Sequence, residues 1–203
     1  VHNLNLVTAG HWRPWVQQAL GLAKRQGFAL PVVWNTGGYE TQQAITALRQ
    51  DVDIWLTDLK FYNSQLAQQL ASAPHYFKIA SAAAQAMCRQ AGPPVFGSDG
   101  VLRRGVVLRL LVLPGRRQDA ENILRWAAKN LPPGGFLLSL MSQYTPPPGI
   151  VLPAPFNRRV ASYEYNKVVE LALELGLTNG FMQQRGSAQA KYTPPFDLTG
   201  IPK

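Results

Sequence analysis

Asp58 and Lys60 stand two residues apart at the end of the apolar run V-D-I-W-L-T-D-L-K-F-Y, residues 52–62. In a parallel sheet the carboxyl ends of the strands are where ligands bind, because side chains and loops converge there. An acid and an amine at such an end can hold a ligand that carries both an ammonium and a carboxylate. The alternative is an ion pair that opens a loop. Arg109 belongs with them although it lies inside an aliphatic stretch, V-V-L-R-L-L-V-L-P-G. A guanidinium among aliphatics is costly to bury unless it meets an anion. That anion is either a ligand or a neighbouring acid, and Asp58 could supply the second.

Other strand ends carry polar groups as well. They are Thr8, Gly10 and His11; Asn35, Thr36, Gly37 and Gly38; Met141, Gln143 and Tyr144; and Gln183 and Gln184. Asn35-Thr36-Gly37-Gly38 offers backbone amides and close approach, but by itself it is a turn. His11 is a loop histidine and His75 stands at a helix start. Cys88 has no histidine near it in sequence and reads as a small packed residue rather than a nucleophile. No Gly-x-Gly-x-x-Gly follows the first strand and no P-loop is present, which argues against dinucleotide and nucleoside-triphosphate binding.

The elements that must position these groups alternate. Strands are expected over Asn3–Thr8, Leu30–Trp34, Val52–Thr57, Val106–Leu113, Phe136–Met141 and Phe181–Gln184. Between them the spacing predicts helices over Trp15–Gln26, Glu40–Gln50, Tyr62–Ala71, Ala73–Gln90, Asp119–Asn130 and Ser162–Leu175. Gly92–Gly105 is a Pro/Gly-rich interruption with a turn at Ser98-Asp99-Gly100, and Pro146–Pro155 is an irregular loop across the ligand face. Strand followed by helix, about six times, implies an α/β fold with a parallel sheet and right-handed crossovers. An open doubly wound sheet and a partial barrel both fit that order. Polar groups at every strand end, rather than at one crevice, favour the partial parallel β/α barrel, over residues 1–184, with 185–203 an irregular tail.

The chain has 203 residues, 46% hydrophobic and 15% charged, enough for one domain with a real core. No run reaches the length of a membrane span. The opening residues lack the basic segment and apolar core of a signal peptide, and one cysteine allows no internal disulfide. Cytoplasmic localisation is the expectation. The net charge of +9 raises nucleic acid as a partner, but it is spread over pairs such as Lys24-Arg25, Arg103-Arg104, Arg116-Arg117 and Arg158-Arg159, the pattern of solvated helix faces. Nucleic acid is therefore ranked below an enzyme or a binding module.

Several segments occur in the order found in one family: Asn3–Thr8, Val33–Glu40, Asp53–Lys60, Arg109–Gly115, Leu140–Tyr144 and Leu175–Gly180. Together they resemble the uncharacterised radical SAM proteins related to pyruvate formate-lyase activating enzyme. The resemblance implies a partial β/α barrel that binds S-adenosylmethionine and a [4Fe-4S] cluster. It implies reductive cleavage to a 5′-deoxyadenosyl radical, with a glycyl-radical-type protein substrate and an electron donor as partners. Thr8 to His11 occupies the segment where wider members carry Gly-Gly-Glu on the methionine amino group; here it reads Thr-Ala-Gly-His. Asn35 matches a polar position near the amino group or ribose. Asp58 and Lys60 match an Asp-x-Lys that contacts the methionine moiety, Arg109 a carboxylate or ribose contact, and Leu111 a position beside adenine. Gln143 matches another adenine-side residue. The family's Cys-x-x-x-Cys-x-x-Cys loop, which follows its first barrel strand, is not in these residues, and Cys88 cannot replace three thiolates. The expectation is a fragment lacking the first strand, inactive alone, with its cluster ligands upstream. A cluster-free module that binds a ligand or a protein is the alternative.

Overall fold

The computed structural model describes residues 1–147, 149 and 151–182. Strand β1 (Leu4–Val7) passes through a 3-10 turn (Ala9–Trp12) into α1 (Arg13–Arg25), β2 (Val32–Thr36), α2 (Gln42–Ala47) and β3 (Ile54–Asp58). Then come α3 (Ser64–Ala71), α4 (Tyr76–Ala91), the short β4 (Val95–Phe96) and β5 (Leu102–Leu111). The described part closes with α5 (Arg117–Asn130), β6 (Leu137–Met141), α6 (Ser162–Glu174) and β7 (Gly180–Met182). Gln184, expected in the last strand, and the tail from residue 185 lie outside the described residues.

The parallel strands run in the order β1-β2-β3-β5-β6-β7. A doubly wound sheet reverses its order at a switch point, whereas this one never does. Successive right-handed crossovers then put every helix on the same side, which is how a barrel wall is built. The burial pattern agrees. Trp34, Trp55, Val106, Leu108, Leu110, Leu138 and Leu140 are buried on the helix-covered face. In register with one another on the opposite face are Asn35 and Leu56, then Asp58, Arg109 and Ser139. That face is open enough to leave Val7, opposite Asn35, 63% exposed.

The core explains why these segments settle as they do. Trp34 and Trp55 are cross-strand partners, with ring centroids 6.5 Å apart and planes at 63°. Each large side chain taken from water contributes about 1.5–3 kcal/mol. On α4 the buried stripe is Ala80, Ala83, Ala84, Met87, Cys88 and Ala91, so the helix lies close on β3 and β5. Cys88 is buried there, and burial pushes its thiol up to about 12, as suits a packing residue.

Element boundaries differ from the sequence expectation where caps and pairing decide them. Thr41 Oγ1 accepts from the Ala44 N–H at 3.1 Å, so α2 starts after the expected Glu40. Asn63 Oδ1 accepts from the Leu66 N–H at 3.0 Å and starts α3 at Ser64 rather than Tyr62. The largest difference is β5, which begins at Leu102 instead of Val106. Residues 95–104 fold back as an antiparallel hairpin on β5, closed where the Gly97 N–H donates to Val101 O at 2.9 Å. Asp99 tightens the turn by accepting from the Val101 N–H and from Arg103, at 3.1 and 2.6 Å.

Candidate functional site

Asp58 is the last residue of β3 and Arg109 is its partner in register on β5. Asn35 belongs to β2 on the same open face. Lys60 follows two residues after the end of β3. The strand pleat therefore aims three side chains at one place, and Lys60 reaches back to it. Arg109 Nε lies 2.6 Å from Asp58 Oδ1, and Lys60 Nζ lies 3.0 Å from Asp58 Oδ2. Arg109 Nη2 donates to Asn35 Oδ1 at 2.8 Å.

Burial grades this group. Asp58 is 6% exposed overall, while the Arg109 and Lys60 side chains are 23% and 42% exposed. Two cations surround one carboxylate, so the cluster carries one excess positive charge. The Arg109–Asp58 contact is a charge pair without hydrogen-bond alignment: Arg109 Nε and Asp58 Oδ1 are both buried and both lack a hydrogen-bond partner.

Beside Lys60 the open face continues into an apolar cavity of about 310 Å³. Its walls include Leu111 at the end of β5, Leu113 just past it, Phe61, Tyr144 and Phe156. The Tyr144 hydroxyl donates to Phe156 O at 2.7 Å, which joins two of these wall residues. The volume suits a flat aromatic base.

Thr8 and His11 follow the end of β1, and Gln143 follows the end of β6. Thr8 is exposed, and its N–H donates to Asn35 O at 2.9 Å. His11 is exposed on the 3-10 turn, and no ion pair or hydrogen bond joins it to the cluster among the described residues. Gln143 is exposed beyond β6, next to the Tyr144 that lines the cavity. Gln183 and Gln184 lie outside the described residues.

Three further residues shape the site without standing out in the sequence. Tyr76, buried at the start of α4, places its hydroxyl 2.8 Å from Gly37 O and 3.1 Å from Asp58 O. The same oxygen accepts from the Lys60 N–H at 3.1 Å. Burial raises the phenol far above its ordinary value, so it stays a neutral hydroxyl. A tyrosine on the buried face of an alanine-rich helix was the available signal. Asp119, from α5, accepts from the Tyr62 and Asn63 N–H groups at 2.9 and 2.7 Å and so anchors the loop after Lys60. Burial raises its carboxyl, partly offset by those two N–H groups. Glu40 accepts from Thr36 Oγ1 at 2.9 Å and from Trp34 Nε1 at 3.4 Å.

No family's sequence profile matches the chain. An uncharacterised protein of Methanocaldococcus jannaschii is 29% identical over 151 residues, which is 73% of this chain but only 39% of that protein. The chain thus spans well under half the length of that relative. Among solved structures, a domain of pyruvate-formate lyase-activating enzyme from Bacteroides vulgatus superposes with a TM-score of 0.62. The match covers 91% of this chain and all of that domain, at 11% sequence identity. The chain shares that domain's fold, a partial parallel β/α barrel. Likeness at this identity speaks to fold, and function has to be argued from the site.

Proposed function

We propose that these residues form the S-adenosylmethionine pocket of a radical SAM enzyme related to pyruvate formate-lyase-activating enzyme. The observation that carries the reading is the meeting of Asn35, Asp58, Lys60 and Arg109 beside an apolar cavity at the carboxyl ends of neighbouring strands. Asp58 and Asn35 Oδ1 are acceptors for the methionine ammonium, and Lys60 and Arg109 are donors for its carboxylate. Leu111 and Tyr144 wall the cavity that takes the adenine. The donor set therefore fits S-adenosylmethionine.

The donor set for a [4Fe-4S] cluster is different. Among the described residues no three His, Cys, Asp or Glu side chains gather as ligands, and Cys88 is a buried thiol on the helix layer. In the proposed enzyme a cluster would be held by residues outside this set. What the chain's own residues do is hold the methionine end still and keep water off the base. The proposed activity is reductive cleavage of S-adenosylmethionine, with a glycyl-radical-type protein as substrate and a separate electron donor.

The absence of cluster ligands among the described residues favours a second reading, a module that binds the same ligand without turnover. Anaerobic iron and sulfide analysis of the protein at full length, with a 5′-deoxyadenosine assay under reducing conditions, separates the two. About four irons and release of 5′-deoxyadenosine are expected for the enzyme. Ligand binding without iron or product leaves the module. A full-length protein that does not bind S-adenosylmethionine at all sinks both.

A further inference from the structure

Tyr76 belongs to the helix layer and touches neither the Asp58 carboxylate nor the Lys60 ammonium. Its hydroxyl instead meets the backbone on both sides of the cluster: the carbonyl of Gly37, two residues past Asn35, and the carbonyl of Asp58 with the N–H of Lys60. Among the described residues nothing else takes the Lys60 N–H. The ring is held from both loops that the hydroxyl ties. Tyr39 stacks on it at 6.1 Å with planes 9° apart, and Phe61 meets its edge at 5.4 Å. Gly38 brings the first loop close enough for this. Its φ is +83°, and a Cβ there would run into Asp58 O.

We propose that Tyr76 is a positioning residue, a fixed spacer that sets the distance between the Asn35 loop and the Asp58–Lys60 arm and so the fit of the methionine end. This rests on reading the cluster as the S-adenosylmethionine pocket. A spacer of this kind acts through its hydroxyl on the zwitterionic end of the ligand far more than on the base, whereas a residue that merely supports the fold affects both alike.

Tyr76→Phe keeps the ring and removes the oxygen. Calorimetric titration of the full-length protein is expected to show S-adenosylmethionine binding weakened about tenfold and adenosine binding changed by less than about twofold. Tyr39→Leu, at a half-exposed position, loosens the ring without touching the hydroxyl and serves if Tyr76→Phe does not fold. It should weaken S-adenosylmethionine about threefold, again with adenosine unaffected. Equal losses for both ligands, or no loss for either, would overturn the spacer role while leaving the pocket intact. A wild-type protein that binds adenosine but not S-adenosylmethionine overturns the pocket reading, and the spacer with it.

Discussion

Asp58 is the residue on which stability and binding part company. Replacing it with alanine leaves the Arg109 guanidinium without its anion. We expect a loss of about 2–4 kcal/mol in urea unfolding, short of the upper figure for a fully buried pair because Arg109 keeps some solvent. Lys60 is the contrasting case. Its side chain is 42% exposed, so Lys60→Met should cost under about 1 kcal/mol of stability. On the proposed function the same change removes a charged donor to the ligand carboxylate and should weaken S-adenosylmethionine binding by about tenfold or more. If Lys60→Met leaves ligand affinity unchanged, the ion pair is structural alone. Sequence could state both readings of Arg109 but not choose between them, because the presence of Asp58 across a ladder serves either one.

At the level of elements, one loop depends on the backbone freedom of a glycine and another on a carboxylate that gathers donors. Gly38→Ala forces a side chain into a left-handed position against the Asp58 carbonyl and should destabilise by about 2 kcal/mol or more in thermal or urea unfolding. Glu164 ties α6 to the turn after β5. It accepts from Arg158 at 2.8 and 2.9 Å, from the Ala161 N–H at 2.8 Å and from the Gly115 N–H at 2.6 Å. Arg158 first, then those N–H groups, lower its pKa from 4.5 to about 2. A depressed folded value means the stabilisation is complete above the ordinary value and fades as pH falls from about 4.5 towards about 2. Glu164→Gln should therefore lower the melting temperature at neutral pH and flatten its fall across that window. The helices and strands themselves were legible from periodicity. Their ends were less so: the Asn63 cap is a local signal that apolar spacing alone does not carry, and the hairpin at 95–104 depends on what the chain meets.

At the scale of the whole fold, helices cover one face of the sheet and, among the described residues, none covers the other face or the β1 edge. Val7 on that edge is exposed, and so are Trp12 and Trp15, which pack edge to face at 5.6 Å. Unpaired strand edges bearing apolar side chains recruit further strands. Produced by itself, this 203-residue chain should self-associate with rising concentration in light scattering, and Val7→Lys should suppress it. No helix among the described residues is long and apolar enough to cross a membrane.

Alternation of apolar runs with helical spacing was enough to establish a parallel α/β chain, because period and connection handedness are local properties of the polypeptide. Polar punctuation after the runs located Asn35, Asp58 and Lys60 as candidates for the same reason, and Arg109 stood out as a guanidinium inside an aliphatic run. That the four share one open face, that Tyr76 and Asp119 anchor the loops behind them, and that an apolar cavity lies beside Lys60 were decided by strand register and helix packing. Those join residues dozens of positions apart, at distances that no local pattern encodes.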